Sequence, residues 1–143
     1  MLIESILAAK GDAIIDVSAS DSLEQVAQVL SEHRIGAVLV QSEDGSICGV
    51  LSERDIVRAI AREGAGVLAK PAEAIMTRDV ITCSSCQTAE QVLSLMTENR
   101  IRHLPVVDQG QLRGMISIGD AVKYRIEETL EEAQALRSYI VAG

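Results

Sequence analysis

The sequence predicts a mixed α/β chain of the α+β kind. It reads as two copies of one strand–helix–strand–strand–helix unit, with a short helix ahead of them and an extended helix behind. Three observations lead there. The chain repeats itself: displaced by 66 residues, Ile15, Ser18, Glu24-Gln25-Val26, Glu32, Arg34-Ile35 and Val40 fall on the identical Ile81, Ser84, Glu90-Gln91-Val92, Glu98, Arg100-Ile101 and Val106. One residue drops out in the next turn, and at a displacement of 65 Gly45, Gly49, Ser52, Asp55 and Val57 meet Gly110, Gly114, Ser117, Asp120 and Val122. Such register across a whole unit, broken once and in a turn, marks a duplication. Second, apolar residues in each copy switch between short continuous runs and helical spacing. Third, 143 residues that are 48% apolar and only 1% aromatic can bury an aliphatic core, yet fall far short of the roughly 250 residues of a (β/α)₈ barrel.

Taken in order, Met1–Ala9 reads as a short leading helix, and Ala13-Ile14-Ile15-Asp16-Val17 as a strand. Ser18 to Ser22 is turn chemistry, in which Asp21 or Ser22 can cap the helix marked by Leu23, Val26, Ala27 and Leu30, running to about Arg34. Gly36-Ala37-Val38-Leu39-Val40 suits a buried strand. Glu43-Asp44-Gly45 is a hairpin turn leading to a strand at Ile47–Leu51 and a helix from Glu53 to about Glu63. Gly64-Ala65-Gly66 and Lys70-Pro71 form a linker, so the copies divide at 1–66 and 67–143. The second copy repeats the order: strand Val80–Thr82, helix Thr88–Asn99, strands Arg102–Val107 and Leu112–Ile116, and a helix from Gly119. In that last helix Val122, Ile126, Leu130, Ala133, Leu136 and Ile140 keep a stripe well past the end of the repeat, beside Glu127, Glu128, Glu131 and Glu132. The stripe is either an ordinary packed face with a solvated acidic side or a dimer contact.

Charge narrows the partners. A net charge of −8 opposes nucleic acid and anionic membrane surfaces, and two Tyr with no Phe or Trp provide no stacking platform. No apolar run approaches the roughly 20 residues of a membrane span, and Met1-Leu2-Ile3-Glu4-Ser5 lacks the basic region and long apolar stretch expected of a signal peptide. Three cysteines make no disulfide framework. A cytoplasmic protein is expected.

Within that frame several motifs stand out. Gly49-Val50-Leu51-Ser52-Glu53-Arg54-Asp55-Ile56-Val57 and Gly114-Met115-Ile116-Ser117-Ile118-Gly119-Asp120-Ala121-Val122 resemble the closing motif of a CBS domain, the family named after cystathionine β-synthase. Ile75-Met76-Thr77 is similar to its opening, and Arg100-Ile101-Arg102-His103-Leu104-Pro105-Val106-Val107-Asp108 to its central strand. The resemblance spans about Ser5 to Arg125. It implies a tandem pair packed with pseudo-twofold symmetry, commonly a homodimer, binding AMP, ADP, ATP, NAD(H) or S-adenosylmethionine in clefts between the repeats. Such a module regulates another domain or an effector protein, needs no obligatory cofactor and is not an enzyme.

The residues supply a physical account beside it. Ser52 with Asp55, and Ser117 with Asp120, each close a strand and open a helix, where main-chain N–H groups and the dipole favour an anion. The hydroxyl can donate to phosphate, and the carboxylate can accept from a ribose diol. Ser-x-x-Asp is equally a capping box that needs no ligand. The copies differ in basic residues: Arg102 and His103 stand where the first copy has Gly36 and Ala37, and Arg54 where the second has Gly119. The Asp120 side is therefore expected to be richer in phosphate contacts, with Arg54 reaching across and Lys10 serving the Asp55 side. Asp16 and Thr82 align near the ends of the first strands. By resemblance, that strand lines the adenine pocket through its backbone and apolar side chains such as Ile81, and Pro105 belongs to the same nucleotide-binding set. Cys83-Ser84-Ser85-Cys86 is either a pair of structural residues or a redox switch; no further Cys or His spacing completes a zinc site. Against an enzyme, the two histidines, His33 and His103, fit no nucleophile–base spacing. A structural dimer with vestigial clefts is the remaining alternative.

Overall fold

A computed structural model describes residues 1–11 and 14–142. Ala13, where the first strand is expected to begin, lies outside the described residues. The chain forms two compact units, a central one of Ile15–Val80 and a terminal one of Met1–Ile14 with Ile81–Gly143.

In the central unit, β1 (Asp16–Ser18) runs parallel to β2 (Ala37–Gln41), which pairs antiparallel with β3 (Ile47–Ser52), in the order β1-β2-β3. The parallel pair is joined by α2 (Leu23–His33), and β3 runs straight into α3 (Glu53–Glu63). Of the two caps the sequence left open, Asp21 and Ser22, the structure uses Ser22, with a complete capping box to Gln25. Val38 and Val40 are fully buried, and with Leu23, Val26, Leu51 and Ile56 they make the core. In the β2–β3 turn the Ser42 and Ser46 hydroxyls and the Ser46 N–H hold the Asp44 carboxyl down at about 2.

The terminal unit repeats the plan with α4 (Ala89–Asn99), the antiparallel pair β4 (His103–Asp108) and β5 (Gln111–Ser117), and α5 (Ile118–Ala142). Both middle helices end on an arginine in the left-handed region, Arg34 at φ 53° and Arg100 at φ 54°, so the duplication extends to backbone detail. The strand expected over Val80–Thr82 does not form. Cys83 alone makes a parallel rung, receiving from Val107 at 2.8 Å and donating to Pro105 at 3.0 Å. Among the described residues no helix is long and apolar enough to cross a membrane.

The compact units are bounded differently from the sequence repeats because of how the leading segments pack. Helix α1 (Ile3–Lys10) buries Ile3, Ile6 and Leu7 among Met96, Leu104, Val106 and Ile116, in the terminal unit. Val67, Ala72 and Met76 pack into the central unit, where Thr77 exchanges main-chain hydrogen bonds of 3.0 and 2.9 Å with Val50. Each leading arm thus covers the sheet of the other copy. The duplicated motif glycines make the room: a Cβ at Gly49 would stand 2.6 Å from Met76 Sδ, and one at Gly114 2.8 Å from Leu7 Cδ2. Periodicity shows that a segment has an apolar face, but not which sheet that face will cover.

Candidate functional site

Each unit brings a strand end, a strand start and a helix start together at one corner. In the central unit Ser52 lies opposite Ala37 in the β2–β3 register, and in the terminal unit Ser117 lies opposite His103. The helix that follows is tied down from inside. Glu53 donates its N–H to Gly36 O at 2.9 Å, and Ile118 donates to Arg102 O at 2.7 Å. The Asp55 N–H reaches Ser52 Oγ at 3.3 Å, and the Ser52 N–H reaches Asp55 Oδ2 at 2.9 Å. Ser117 and Asp120 repeat this, with the Asp120 N–H to Ser117 Oγ at 3.1 Å and the Ser117 N–H to Asp120 Oδ2 at 3.0 Å. Gly36 and Arg102 therefore contribute carbonyls that anchor the helix start. Among the described residues this leaves one first-turn donor per site, the N–H of Arg54 and that of Gly119. The broad set of open main-chain donors expected from the sequence is mostly consumed by the cap, so an anion here would depend on side chains.

The cap does not use up the carboxylates. Every bond to Asp55 or Asp120 from the described residues falls on Oδ2, the Ser52 hydroxyl joining it at 3.1 Å. Among the described residues no hydrogen bond falls on Oδ1 of either acid.

Lys10 is where the sequence reading needs correcting. It was expected on the Asp55 side, but its ammonium donates to Asp120 Oδ2 at 2.7 Å and to Met115 O at 2.9 Å. Because α1 packs on the terminal unit, its last residue is delivered to that unit's corner. Burial, the largest influence, pushes the Asp120 carboxyl up. The Lys10 ammonium and the Ser117 N–H outweigh it and hold the acid below the usual carboxylate range. The terminal corner thus gathers Lys10, exposed Arg102, half-buried His103, Ser117 and Asp120. Pro105 is buried two pairs further along β4, beside the Cys83 rung that follows half-buried Ile81 and exposed Thr82.

The central corner holds Gly36, Ala37, Ser52, Asp55 and exposed Arg54, with Asp16 on β1 bonded to the Gln41 side-chain amide. Two residues were missed there. Arg58 and Arg62 line a cavity of about 430 Å³ with Asp55, Glu63 and the arm Ala74–Met76. The four-residue spacing of Arg54, Arg58 and Arg62 was the available signal, since it places all three guanidinium groups along one side of α3.

Cys83 is buried in the terminal core and Cys86 is exposed. Burial, reinforced by the Asp108 carboxylate, pushes the Cys83 thiol up to about 11, the opposite of what a reactive thiolate requires. The geometry favours the structural reading of this pair. Among the described residues no three His, Cys, Asp or Glu side chains converge on a metal-sized space.

Comparison with known proteins agrees with this architecture. The CBS domain family model matches twice, at residues 12–62 and 72–127. The CBS domain-containing protein CBSX3, mitochondrial, of Arabidopsis thaliana is 33% identical over 130 residues, covering 88% of this chain and 63% of its own length. The chain therefore spans less than two thirds of that relative. The CBS-domain containing protein ATU1752 from Agrobacterium tumefaciens superposes with a TM-score of 0.85 at 40% identity, covering 87% of this chain and 92% of that one. Two similar structures hold ligands. The CBS domain pair of protein MJ0100, in complex with 5′-methylthioadenosine and S-adenosyl-L-methionine, is 26% identical with a TM-score of 0.78, over 90% of this chain and 98% of that one. Protein PAE2072 from Pyrobaculum aerophilum, complexed with AMP, is 28% identical with a TM-score of 0.74, over 84% and 89%.

Proposed function

Since the chain belongs to the CBS-domain family as a tandem pair, a class of regulatory modules, we propose that it is a non-catalytic sensor of adenosine-containing nucleotides, AMP, ADP, ATP or NAD(H), that signals to an effector protein. The observation that carries this reading is the duplicated Ser–Asp corner, in which every cap bond to the carboxylate among the described residues falls on Oδ2 (Ser52/Asp55 and Ser117/Asp120). A ribose diol donates to such an acceptor. Lys10 with Arg102 on one side, and Arg54, Arg58 and Arg62 on the other, supply positive charge for phosphate in a chain of net charge −8, and His103 adds an imidazole on the Lys10 side. Thr82, Ile81 and Pro105 flank the terminal corner as the adenine-facing surface. A homodimer in the cytoplasm is part of the proposal, with neither nucleic acid nor membrane as partner.

The test is a melting scan of nucleotide-stripped protein against AMP, ADP, ATP, NAD(H) and S-adenosylmethionine, with Asp55→Ala and Asp120→Ala alongside. Each variant is compared with its own ligand-free melt, because both substitutions also remove a helix cap. A ligand at 100 times its Kd adds about 2.7 kcal/mol. A selective shift that disappears in one Asp variant supports the reading and assigns the corner. No shift with any of the five would return both pairs to the role of helix caps and favour a structural module.

A further inference from the structure

From residue 129 to 142 every position of α5 is exposed, so roughly 20 Å of helix stands clear of the unit that begins it. A free helix of that length is marginal in water, and this one carries apolar side chains into solvent. Val122, Ile126, Leu136 and Ile140 are 41, 54, 60 and 68% exposed. With Thr129 and Ala133 between them the steps alternate four and three, at 122, 126, 129, 133, 136 and 140, the spacing of a seam between two helices. The Thr129 hydroxyl is satisfied within its own helix, donating to Arg125 O at 2.9 Å and accepting from the Arg125 guanidinium at 3.3 Å.

We infer that this stripe pairs with a second copy of the chain as a parallel two-stranded coiled coil over Val122–Ile140. The inference rests on the homodimer proposed above and adds its surface and direction. The a positions carry Ile126, Ala133 and Ile140 and the d positions Val122, Thr129 and Leu136, so the C-terminal Leu136–Ile140 part has the Leu-at-d, Ile-at-a combination that favours two parallel strands. Glu132 then occupies a g position and Arg137 the following e position, so each Glu132 faces Arg137 of a second copy and the charge match occurs twice. Glu127, Glu128 and Glu131 fall at b, c and f, away from the seam. The seam from Val122 to Ile140 is just short of three heptads, at the lower limit for such a pair, so the dimer dissociates on dilution.

The experiment uses the full chain with Cys86→Ser as background, carrying either Leu136→Cys at the seam or Ser138→Cys on the opposite face. Under mild oxidation at tens of micromolar, Leu136→Cys should form a disulfide-linked dimer about tenfold faster or more than Ser138→Cys. Leu136→Glu, at an exposed position, should sediment as monomer where the parent is a dimer. A dimer that survives Leu136→Glu, with Leu136→Cys no faster than Ser138→Cys, overturns the coiled coil while leaving the homodimer on another face. A parent that is monomeric throughout and does not cross-link overturns both.

Discussion

Replacing Gly49 or Gly114 by alanine puts one methyl group into duplicate environments that differ in a single respect. Neither glycine has a left-handed φ, so space alone decides the outcome. At Gly114 the new Cβ meets only Leu7 Cδ2, at 2.8 Å, the tip of a side chain that can turn aside. At Gly49 it meets Met76 Sδ at 2.6 Å, and also Thr77 O at 2.8 Å, which is main chain fixed by its hydrogen bond from Val50. Overpacking of this kind costs about 1–3 kcal/mol, whereas an unstrained Gly→Ala gains about 0.4–1 kcal/mol through the unfolded chain. Gly49→Ala should therefore lose about 1–3 kcal/mol, or about 3–9 °C in Tm at this length, and Gly114→Ala should stay within about 1 kcal/mol of the parent. Met76→Ala should restore only part of the Gly49→Ala loss, because the carbonyl contact remains. Urea unfolding followed by circular dichroism measures the difference, and hydrogen exchange locates it. For Gly49→Ala, protection should fall in β3 and the Ile75–Thr77 arm. Equal losses at the two glycines, or a larger one at Gly114, would refute the exchange of arms between copies.

Two further outcomes follow from the charges and thiols. The folded-state carboxyl of Asp120 lies below its ordinary value, so the unfolded chain binds its proton first. The stability this group contributes is complete above the ordinary carboxylate range and is lost as pH falls through it. Lys10→Met should shrink that acid-side loss in Tm between pH 7 and pH 3. In an Asp120→Asn background the Lys10 substitution should leave the pH profile unchanged, and an identical profile change in both backgrounds would mean the pair is not coupled. For the cysteines, a thiol at about 11 rather than 9.0 has a thiolate fraction about 100-fold smaller at pH 8. Native alkylation followed by mass spectrometry should therefore label exposed Cys86 well before Cys83. Equal labelling rates would reopen the redox switch.

The sequence was most informative where a residue's environment is local. Ser22, Ser52 and Thr88 cap the helices they precede, and α3 begins and ends at the predicted residues, because a cap and a 3.6-residue period are set by immediate neighbours. Three features were not legible, each because its cause is distant in sequence. Lys10 meets Asp120 across a separation of 110 residues. The arms cover the opposite copies, although Ile6-Leu7 and Ile75-Met76 look alike. The second copy keeps a single rung at Cys83 where β1 forms in the first. Of the candidate corners, the Ser–Asp pairs could be read directly. Arg58 and Arg62 became relevant only once the Ala74–Met76 arm was placed beside them.

The spacing left helix cap and ligand site open; the structure shows the cap at both corners, and under the function proposed above the two roles are compatible. A cap that engaged both carboxylate oxygens would compete with a ligand. A cap confined to Oδ2 instead fixes the rotamer of Asp55 and of Asp120 before any ligand arrives. The entropy of ordering those side chains is then spent in folding rather than in binding. The two corners differ in what else stands beside that pre-set acid. In the terminal unit Lys10 already neutralises Asp120, so a phosphate arriving there shares a cation with the carboxylate. In the central unit no described cation is paired with Asp55, and the arginines flank the cavity instead. The duplicated corners, built on one plan, are thereby electrostatically unequal, and a ligand carrying both a diol and a phosphate should distinguish them in affinity.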